Sequence, residues 1–214
     1  MAKGNIQTVF IDWYMTLSNS VFWGHLATED TVRFSMLSDT LFVMLAQQID
    51  PWMRGTRTSE QMMRLVAQSA NLSYDTVYSE FVKSCQTMRI IDPEVPLLVA
   101  ELRRRGARLV VATDNMDSFT RFTAPGLHLS DIFDDILNSF DLQALKDDFD
   151  AGGRSLFFHD YLMARGLAPN RCVLIDDSTL TGASAARMGM RYLQVTAENG
   201  LVHHLSALLQ ETTD

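Results

Sequence analysis

Apolar residues along this chain fall into short unbroken runs, separated by longer stretches of helical periodicity. An apolar run of about four to eight residues is typical of a strand that is buried on both faces of a sheet. Such runs predict five strands, at residues 7–11, 108–112, 132–137, 172–175 and 192–195. Because helical stretches alternate with these runs over most of the chain, we predict an α/β fold with a doubly wound parallel sheet.

A long helical segment interrupts this alternation after the first strand. Residues 31–48 and 59–70 place apolar side chains at helical spacing. Ser73 is the predicted N-cap of a third helix, which reaches Met88. Since no alternating strand pattern breaks this segment, we interpret it as an inserted helical cap.

The pair Asp92-Pro93 marks the return to the sheet, because the residue before a proline disfavours helical backbone. We therefore predict a Rossmann-like α/β core at residues 1–17 and 93–214, with a helical cap subdomain at residues 18–92. Four helices are predicted in the second part of the core, at residues 94–105, 116–123, 155–165 and 181–188.

The composition is typical of a soluble globular protein, with 47% hydrophobic and 21% charged residues in a chain of 214. No segment approaches the roughly 20 apolar residues of a membrane span, and the first residues lack the pattern of a signal peptide. The net charge of −8 argues against nucleic-acid binding, which needs a basic surface. Cys85 and Cys172 are expected to be buried free thiols, in keeping with a reducing compartment. We expect a cytoplasmic monomer or homodimer without membrane contact.

Polar side chains follow three of the predicted strands. Asp12 follows the first, Thr113-Asp114-Asn115 the second, and Asp176-Asp177-Ser178 the fourth. Because parallel strands end at the same edge of a sheet, these groups are expected to converge in one crevice. Together with Lys146 they are suited to phosphoryl transfer: a carboxylate attacks phosphorus, hydroxyl and amide groups hold phosphoryl oxygens, a lysine balances charge, and paired carboxylates hold Mg²⁺.

Four segments, taken in order, resemble the motifs of the haloacid dehalogenase-like (HAD) hydrolase superfamily. IDWYMTL contains Asp12, VVATDN contains Thr113, NSFDLQALKDD contains Lys146, and VLIDDS contains Asp176 and Asp177. The resemblance covers nearly the whole chain if the cap is counted as the helical insertion of this superfamily. It implies a HAD-like core and hydrolysis of a small phosphorylated substrate with Mg²⁺ as cofactor.

The resemblance also implies which residues hold the metal. Asp12 is the implied nucleophile, which forms an aspartyl-phosphate and also binds Mg²⁺. The backbone carbonyl of Tyr14 is the implied second ligand. Asp177 is the implied main ligand of the acidic pair, with Asp176 bound directly or through water.

The implied substrate contacts come from the second and third motifs. The hydroxyl of Thr113 and the backbone amide of Asp114 are expected to contact phosphoryl oxygens, and Asn115 is assigned to the same binding group. Lys146 is expected to bind substrate and to neutralise the pair formed by Asp12 and the phosphate. Asp12, Thr113 and Lys146 are therefore the predicted catalytic residues.

Tyr14 departs from this pattern, because phosphatases of the superfamily usually carry a second aspartate two positions after the nucleophile. That aspartate protonates the leaving oxygen and then activates water. Tyrosine, with an unperturbed pKa of ~10, is a poor substitute. Such help is typically worth about 10²–10⁴-fold in rate, so its loss matters for alkyl esters and less for acyl phosphates.

Other functions stay open. Tyr14 also resembles the true haloacid dehalogenases, which attack carbon without a metal, but Met15 stands where they carry glycine. The adjacent carboxylates Asp176-Asp177 would repel each other without a cation, which favours the metal. Asp12-Trp13 is similar to the phosphonoacetaldehyde hydrolases, which need a lysine early in the cap, whereas Lys83 comes late. A catalytically reduced protein that binds a ligand or partner in the same crevice is the remaining alternative.

Several of these residues also have purely structural interpretations. Asp12 could cap a turn, and Asp176-Asp177 with Ser178 could cap the next helix. Lys146 is followed closely by aspartates and could form a solvated ion pair. Asp114 could be a helix N-cap or a displaced acid or base.

Four aromatic residues near the predicted boundary between cap and core have two interpretations. They could line a substrate pocket or form an apolar seam that holds the two parts together, and we prefer the seam. These residues are Trp13, Phe22, Trp23 and Trp52.

Overall fold

A computed structural model describes residues 6–211. It contains one five-stranded sheet in which all strands are parallel, in the order β3-β2-β1-β4-β5. The strands are β1 Thr8–Ile11, β2 Arg108–Thr113, β3 Asp135–Asn138, β4 Cys172–Asp176 and β5 Arg191–Gln194. The predicted doubly wound α/β fold is confirmed.

Twelve α-helical segments of the described chain surround the sheet. They are α1 Leu26–Glu29, α2 Thr31–Asp39, α3 Ile49–Met53, α4 Ser59–Ala70, α5 Tyr74–Gln86, α6 Val95–Arg104, α7 Ala124–Gly126, α8 Leu129–Ile132, α9 Ser139–Leu142, α10 His159–Ala164, α11 Thr179–Met188 and α12 Leu201–Glu211. Two π-helical turns, Thr40–Met44 and Phe119–Thr123, and two 3-10 turns, Ala46–Gln48 and Pro169–Arg171, connect some of them. None of the helices in residues 6–211 is both long enough and apolar enough to cross a bilayer.

Helices cover both faces of the sheet because successive strand residues point to opposite sides. Val9 and Ile11 pack on the face covered by α6, α12 and the cap. Phe10 packs on the other face, against α10 and α11. The three inner strands, β1, β2 and β4, are therefore buried almost throughout, as their unbroken apolar runs predict, whereas the edge strands β3 and β5 carry polar residues at both ends.

Strand β1 lies at the centre of the sheet, where its end meets two neighbours. Ile11 is in register with Val111 of β2 and with Ile175 of β4. The chain runs from β1 to β2 on one side and returns to β4 on the other. Asp12, the next residue, thus lies at the topological switch point, where α/β sheets open a crevice for ligands.

The helices α1–α5 lie between β1 and α6 in the chain, as expected for an inserted cap. Their apolar side chains belong to the same buried cluster as one face of the sheet. Trp13, Phe22, Trp23 and Trp52 are all buried in this cluster, and Phe22 packs on both Trp23 and Trp52. The exact cap bounds, 18–92, stay a prediction.

One buried carboxylate also ties the cap to the core. Asp117 accepts hydrogen bonds from Trp52 Nε1 at 2.8 Å and from the Ser59 backbone amide and hydroxyl at 3.0 and 2.6 Å. Arg121 donates to Asp117 at 2.7 Å and to Glu60 at 2.6 Å. The pairing with Arg121 lowers the pKa of Glu60 to about 2. The start of α4 is therefore anchored to the turn that follows β2.

Four predicted elements were wrong in extent. Residues 31–48 do not form one helix: α2 ends at Asp39, where the Thr40 hydroxyl donates to the Met36 carbonyl and the backbone widens into a π-helical turn. Of residues 116–123, the last five form a π-helical turn that continues into α7. Ile132 ends α8 instead of starting β3.

The helix predicted at 155–165 begins only at His159, because Ser155 first forms a bridge with Phe149. The C-terminal helix α12 was missed. It packs against α6 through Leu201, Leu205 and Leu208.

Candidate active site

Asp12 is held at the end of β1 by the sheet and by a lysine. Its backbone amide donates to the Ile175 carbonyl at 2.9 Å, which extends the pairing of β1 with β4 by one step. Its side chain is buried. Lys146 Nζ donates to Asp12 Oδ1 at 2.6 Å and to Asp176 Oδ2 at 2.5 Å. The residues predicted from the first, third and fourth motifs therefore meet at one point.

The loop after α9 delivers Lys146 to this point. Asp114 Oδ1 accepts the Lys146 backbone amide at 2.9 Å, so the end of β2 fixes the loop. Asp148 accepts the Leu145 amide at 2.8 Å and also pairs with Arg54 of the cap. Because the Lys146 side chain is only 4% exposed, its interpretation as a solvated ion pair was wrong.

The acidic pair follows β4 directly. Asp176 Oδ1 accepts the Ser178 amide at 2.8 Å, and Tyr192 donates its hydroxyl to the Asp176 carbonyl at 2.9 Å. Ser178, and neither aspartate, is the N-cap of α11, so the capping interpretation of the pair was wrong. Carboxylate oxygens of Asp12, Asp176 and Asp177 lie within 4.8 Å of one another.

Burial dominates the electrostatics of this cluster. It raises the pKa of Asp12 to about 7, although the Lys146 ammonium acts in the opposite direction. Burial and the charge of Asp176 also raise the pKa of Asp177. Burial alone would lower the pKa of Lys146, but the carboxylates of Asp12 and Asp176 outweigh it and raise that pKa. The neighbours of Asp12 and Asp177 therefore offset the desolvation of these carboxylates only in part, whereas the neighbours of Lys146 more than offset that of the ammonium.

The donor chemistry of the cluster fits a hard divalent cation. Three carboxylates and one ammonium leave two negative charges uncompensated when all are ionised. Carboxylate and backbone carbonyl oxygens are the ligands that Mg²⁺ takes in proteins. A divalent cation would balance the charge and offset the mutual repulsion of the carboxylates, which adds to burial in raising the pKa values of Asp12 and Asp177.

The end of β2 forms the second wall of the site. Thr113 is buried, and Asn115 Nδ2 approaches its hydroxyl at 3.5 Å. The Asn115 amide donates to Ser139 Oγ at 2.9 Å. Asp114 is not a helix N-cap, since its Oδ1 holds the loop of Lys146. Burial raises the pKa of Asp114 to about 6.

Tyr14 lies in a tight turn and is half exposed. The Trp13 carbonyl accepts the amides of Leu17 and Ser18 at 2.9 and 2.8 Å, and Met15 adopts the left-handed region with φ of 60°. Within residues 6–211, no hydrogen bond uses the Tyr14 carbonyl. That oxygen is therefore available to a ligand.

Two supporting residues were not predicted from the sequence. Ser139 joins the end of β2 to the cap, since its hydroxyl also donates to the Met53 carbonyl at 2.8 Å. Tyr192 braces the turn after β4 through the carbonyls of Asp176 and Ser178. Ser139 directly follows β3, so a polar residue after a third strand was the signal available. Tyr192 lies within a predicted strand, so the sequence gave no signal for its role.

A cavity of about 480 Å³, here called the seam cavity, lies between cap and core beside these strand ends. Trp13 and Tyr14 from the loop after β1, and Asp114 and Asn115 from the end of β2, form its floor. Cap residues, including Phe22, and the core residues Met116, Phe119 and Thr123 form the rest of its wall. Of the four aromatic residues at the boundary, two thus line a pocket and two belong to the buried seam alone: Trp13 and Phe22, and Trp23 and Trp52.

Comparison with known proteins identifies the fold. A HAD family enzyme from Bacteroides thetaiotaomicron, in complex with magnesium and inorganic phosphate, matches with a TM-score of 0.64 and 13% identity over 94% of this chain and 99% of that chain. A predicted HAD-like family hydrolase from Porphyromonas gingivalis matches with a TM-score of 0.68 and 16% identity over 96% of this chain and 98% of that chain. L-2-haloacid dehalogenase from Xanthobacter autotrophicus, with chloropropionic acid covalently bound, matches with a TM-score of 0.64 and 13% identity over 97% of this chain and 87% of that chain.

Neither a protein-family model nor a curated protein sequence matches the chain. The chain therefore has the fold of the HAD-like hydrolases, as the order of its four motifs predicts. Enzymes of two reaction classes share this fold, so the reaction has to be argued from the site.

The position of Lys146 gives a direct prediction for stability. Lys146→Met would leave Asp12 and Asp176 buried without their cation, and we expect this to lower the free energy of unfolding by about 3–5 kcal/mol at pH 8. Urea denaturation in the presence of a chelator measures the difference. Lys83→Met is the matched control, because Lys83 is half exposed and pairs only loosely with Glu29 at 3.7 Å. Equal stability of the two variants would contradict the predicted role.

Proposed function

We propose that this chain is a Mg²⁺-dependent hydrolase that cleaves a small phosphorylated molecule through an aspartyl-phosphate on Asp12. The observation that carries the proposal is the buried cluster in which oxygens of Asp12, Asp176 and Asp177 lie within 4.8 Å of one another around a single lysine. A metal-free reaction has no use for this excess of negative charge. The Bacteroides enzyme of the same fold, which binds magnesium and inorganic phosphate, is consistent with it.

The proposed metal ligands are the carboxylates of Asp12, Asp176 and Asp177 and the free carbonyl of Tyr14. When bound, Mg²⁺ would supply charge neutralisation and polarise the phosphoryl group. The same residues hold their places without it, because Asp12 and Asp176 are tied to Lys146.

The chain's own residues then perform the transfer. An oxygen of Asp12 attacks phosphorus, and the bond from phosphorus to the leaving oxygen breaks with its electron pair on that oxygen. Lys146 orients Asp12 and offsets the charge of the phosphate. Thr113 and the amide of Asp114, with Asn115 beside them, hold phosphoryl oxygens. Water then attacks phosphorus, which releases Asp12. One proton of that water stays on the inorganic phosphate; the other goes to an alkoxide leaving group or, where the leaving group is a stable carboxylate, to solvent.

The absence of a carboxylate at Tyr14 restricts the leaving group. Among the described residues that line the seam cavity, Asp114 is the only carboxylate, and its Oδ1 is engaged with the Lys146 amide. The site therefore offers little help in protonating the leaving oxygen. A leaving group that departs as a stable anion, such as a carboxylate from an acyl phosphate, needs no such help.

Dehalogenation of a 2-haloacid is the second candidate, because Tyr14 and the Xanthobacter structure both favour it. Two observations weigh against it. The Asp176-Asp177 pair would face Asp12 without a cation. No lysine or arginine of the described residues lines the seam cavity to bind the carboxylate of a haloacid. Lys83, which a phosphonoacetaldehyde hydrolase would need, does not line the cavity either.

Release of inorganic phosphate from acetyl phosphate and 4-nitrophenyl phosphate, measured with Mg²⁺ and with a chelator, tests the proposal. We expect turnover only with Mg²⁺, and a loss of at least about 10³-fold in kcat for Asp12→Asn, because removal of a nucleophile leaves only the residual help of the site. Asp160→Asn is the matched control, because Asp160 is exposed on α10 and outside the site. Chloride release from 2-chloropropionate that persists with the chelator would instead establish the dehalogenase. Binding of phosphate without any turnover would favour a catalytically reduced protein.

Tyr14→Asp tests the consequence of the missing acid. We expect the variant to hydrolyse alkyl phosphates such as glycerol phosphate about 10-fold or more faster than the wild type, while the rate with acetyl phosphate changes less. Rates for the two substrates, measured in parallel, give the comparison. An equal change for both, or no change for the alkyl ester, would show that the acid is not what limits this chain.

A further inference from the structure

The wall of the seam cavity is mostly apolar, although the cavity starts at the most polar edge of the sheet. Aromatic rings and methionine side chains cover its sides. The principal ones are Trp13, Phe22, Phe34, Phe42, Met53 and Phe119. The burial of an apolar ligand against such a lining is favourable, whereas a polyhydroxylated ligand finds few hydrogen-bond partners there.

The polar groups of the wall are few, and no lysine, arginine or histidine of the described chain is among them. Ser20 and Ser38 are the polar side chains that the cap contributes. A second phosphate or a carboxylate on the substrate would therefore enter the cavity without a cation to pair with, at a cost of desolvation. The lining thus disfavours nucleotides, bisphosphates and sugar phosphates as substrates.

Ring contacts within the wall, and with Phe81 outside it, support the cavity. Trp13 packs edge-on against Phe119, with ring centroids 5.2 Å apart. Phe22 packs against Phe81 at 4.9 Å and stacks with Phe42 at 6.3 Å. Its volume of about 480 Å³ is roughly three times that of an apolar protein cavity of about 150 Å³ that accepts benzene. A ring with substituents or a chain of several carbons would fit.

The cavity and the proposed phosphoryl site share two loops. Trp13 directly follows Asp12, and Asp114 directly follows Thr113, so the residues of the cavity floor are neighbours in the chain of those that would hold the phosphate. The part of a substrate that leaves phosphorus is therefore next to the apolar wall.

We propose that the leaving group of the substrate is an acyloxy or aryloxy group whose apolar body carries no charged substituent and occupies the seam cavity. The inference rests on the proposed phosphatase function and narrows it to one substrate class. Two independent observations agree: the lining favours an apolar body, and the tyrosine at position 14 favours a leaving group that departs as a stable anion. The bond that breaks is the one between phosphorus and the acyl or aryl oxygen, which keeps the electron pair.

A series of acyl phosphates tests the inference, because acetyl, butanoyl and hexanoyl phosphate differ in apolar length at nearly constant leaving-group acidity. Each methylene that enters an apolar site contributes up to about fourfold in binding. We expect kcat/KM to rise by at least about 10-fold from acetyl to hexanoyl phosphate. Equal values along the series would overturn the inference and leave the phosphatase proposal intact.

Phe42 offers a variant that is unlikely to disturb folding, because it is 47% exposed at the mouth of the cavity. Phe42→Ala is expected to reduce the preference for hexanoyl over acetyl phosphate severalfold. Val43→Ala is the matched control: Val43 is the next residue on the same π-helical turn, is 71% exposed and does not line the cavity. A preference that is unchanged in Phe42→Ala, or reduced equally by both changes, would contradict a role of the cavity.

Ligand binding separates this inference from the proposed function if no phosphate is hydrolysed. Naphthylphosphonate and methylphosphonate are titrated against Trp fluorescence, to which Trp13 in the cavity wall contributes. Binding of the naphthyl compound at least about 10-fold more tightly supports an apolar ligand site even without turnover. Equal affinity, or no binding of either, would overturn the inference, whereas the phosphatase proposal is decided by the turnover measurements alone.

Discussion

The contact of one buried ammonium with two carboxylates is the interaction on which the whole site depends. Lys146 joins Asp12 at the end of β1 to Asp176 at the end of β4, at 2.6 and 2.5 Å. Two carboxylates at adjacent strand ends, both buried, would otherwise repel each other and take up protons. The lysine offsets one of these two charges and leaves the other, together with that of Asp177, for a divalent cation. Asp114 keeps Lys146 in place by holding its backbone amide.

The polar cluster and the apolar cavity divide the proposed chemistry between core and cap. The ends of β1, β2 and β4 hold the groups that would act on phosphorus, and these positions follow from the register of the sheet. The cap supplies the aromatic wall and is held down through Asp117, which binds Trp52 and Ser59. Tyr14 stands between the two regions, and its phenol replaces the carboxylate that would assist a poor leaving group.

The strands of the sheet and the polar residues at their ends could be predicted from the sequence, because both follow from local patterns. A strand is an unbroken apolar run, and the polar residues come directly after it. The position of Lys146 could be anticipated only from the resemblance to a family, since it reaches the site through a loop without periodicity. The contacts of Asp117 depend on side chains distant in sequence, such as Trp52, which no local pattern reveals. The break of the helix after Asp39 and the late start of the helix before Arg165 have short-range causes, a hydrogen bond of Thr40 to Met36 and the bridge of Ser155 to Phe149, which the spacing of apolar residues does not report.

The binding of Mg²⁺ to the free protein tests the central claim most directly, without reference to any substrate. Thermal unfolding is measured with and without millimolar Mg²⁺ for the wild type, for Asp177→Asn, whose half-buried side chain tolerates an amide, and for the exposed control Asp160→Asn. The account predicts that Mg²⁺ raises the Tm of the wild type and the control by about 2–4 °C for each kcal/mol that its binding adds to the free energy of unfolding, and that Asp177→Asn loses most of this rise. An equal rise in all three proteins, or none in the wild type, would contradict it.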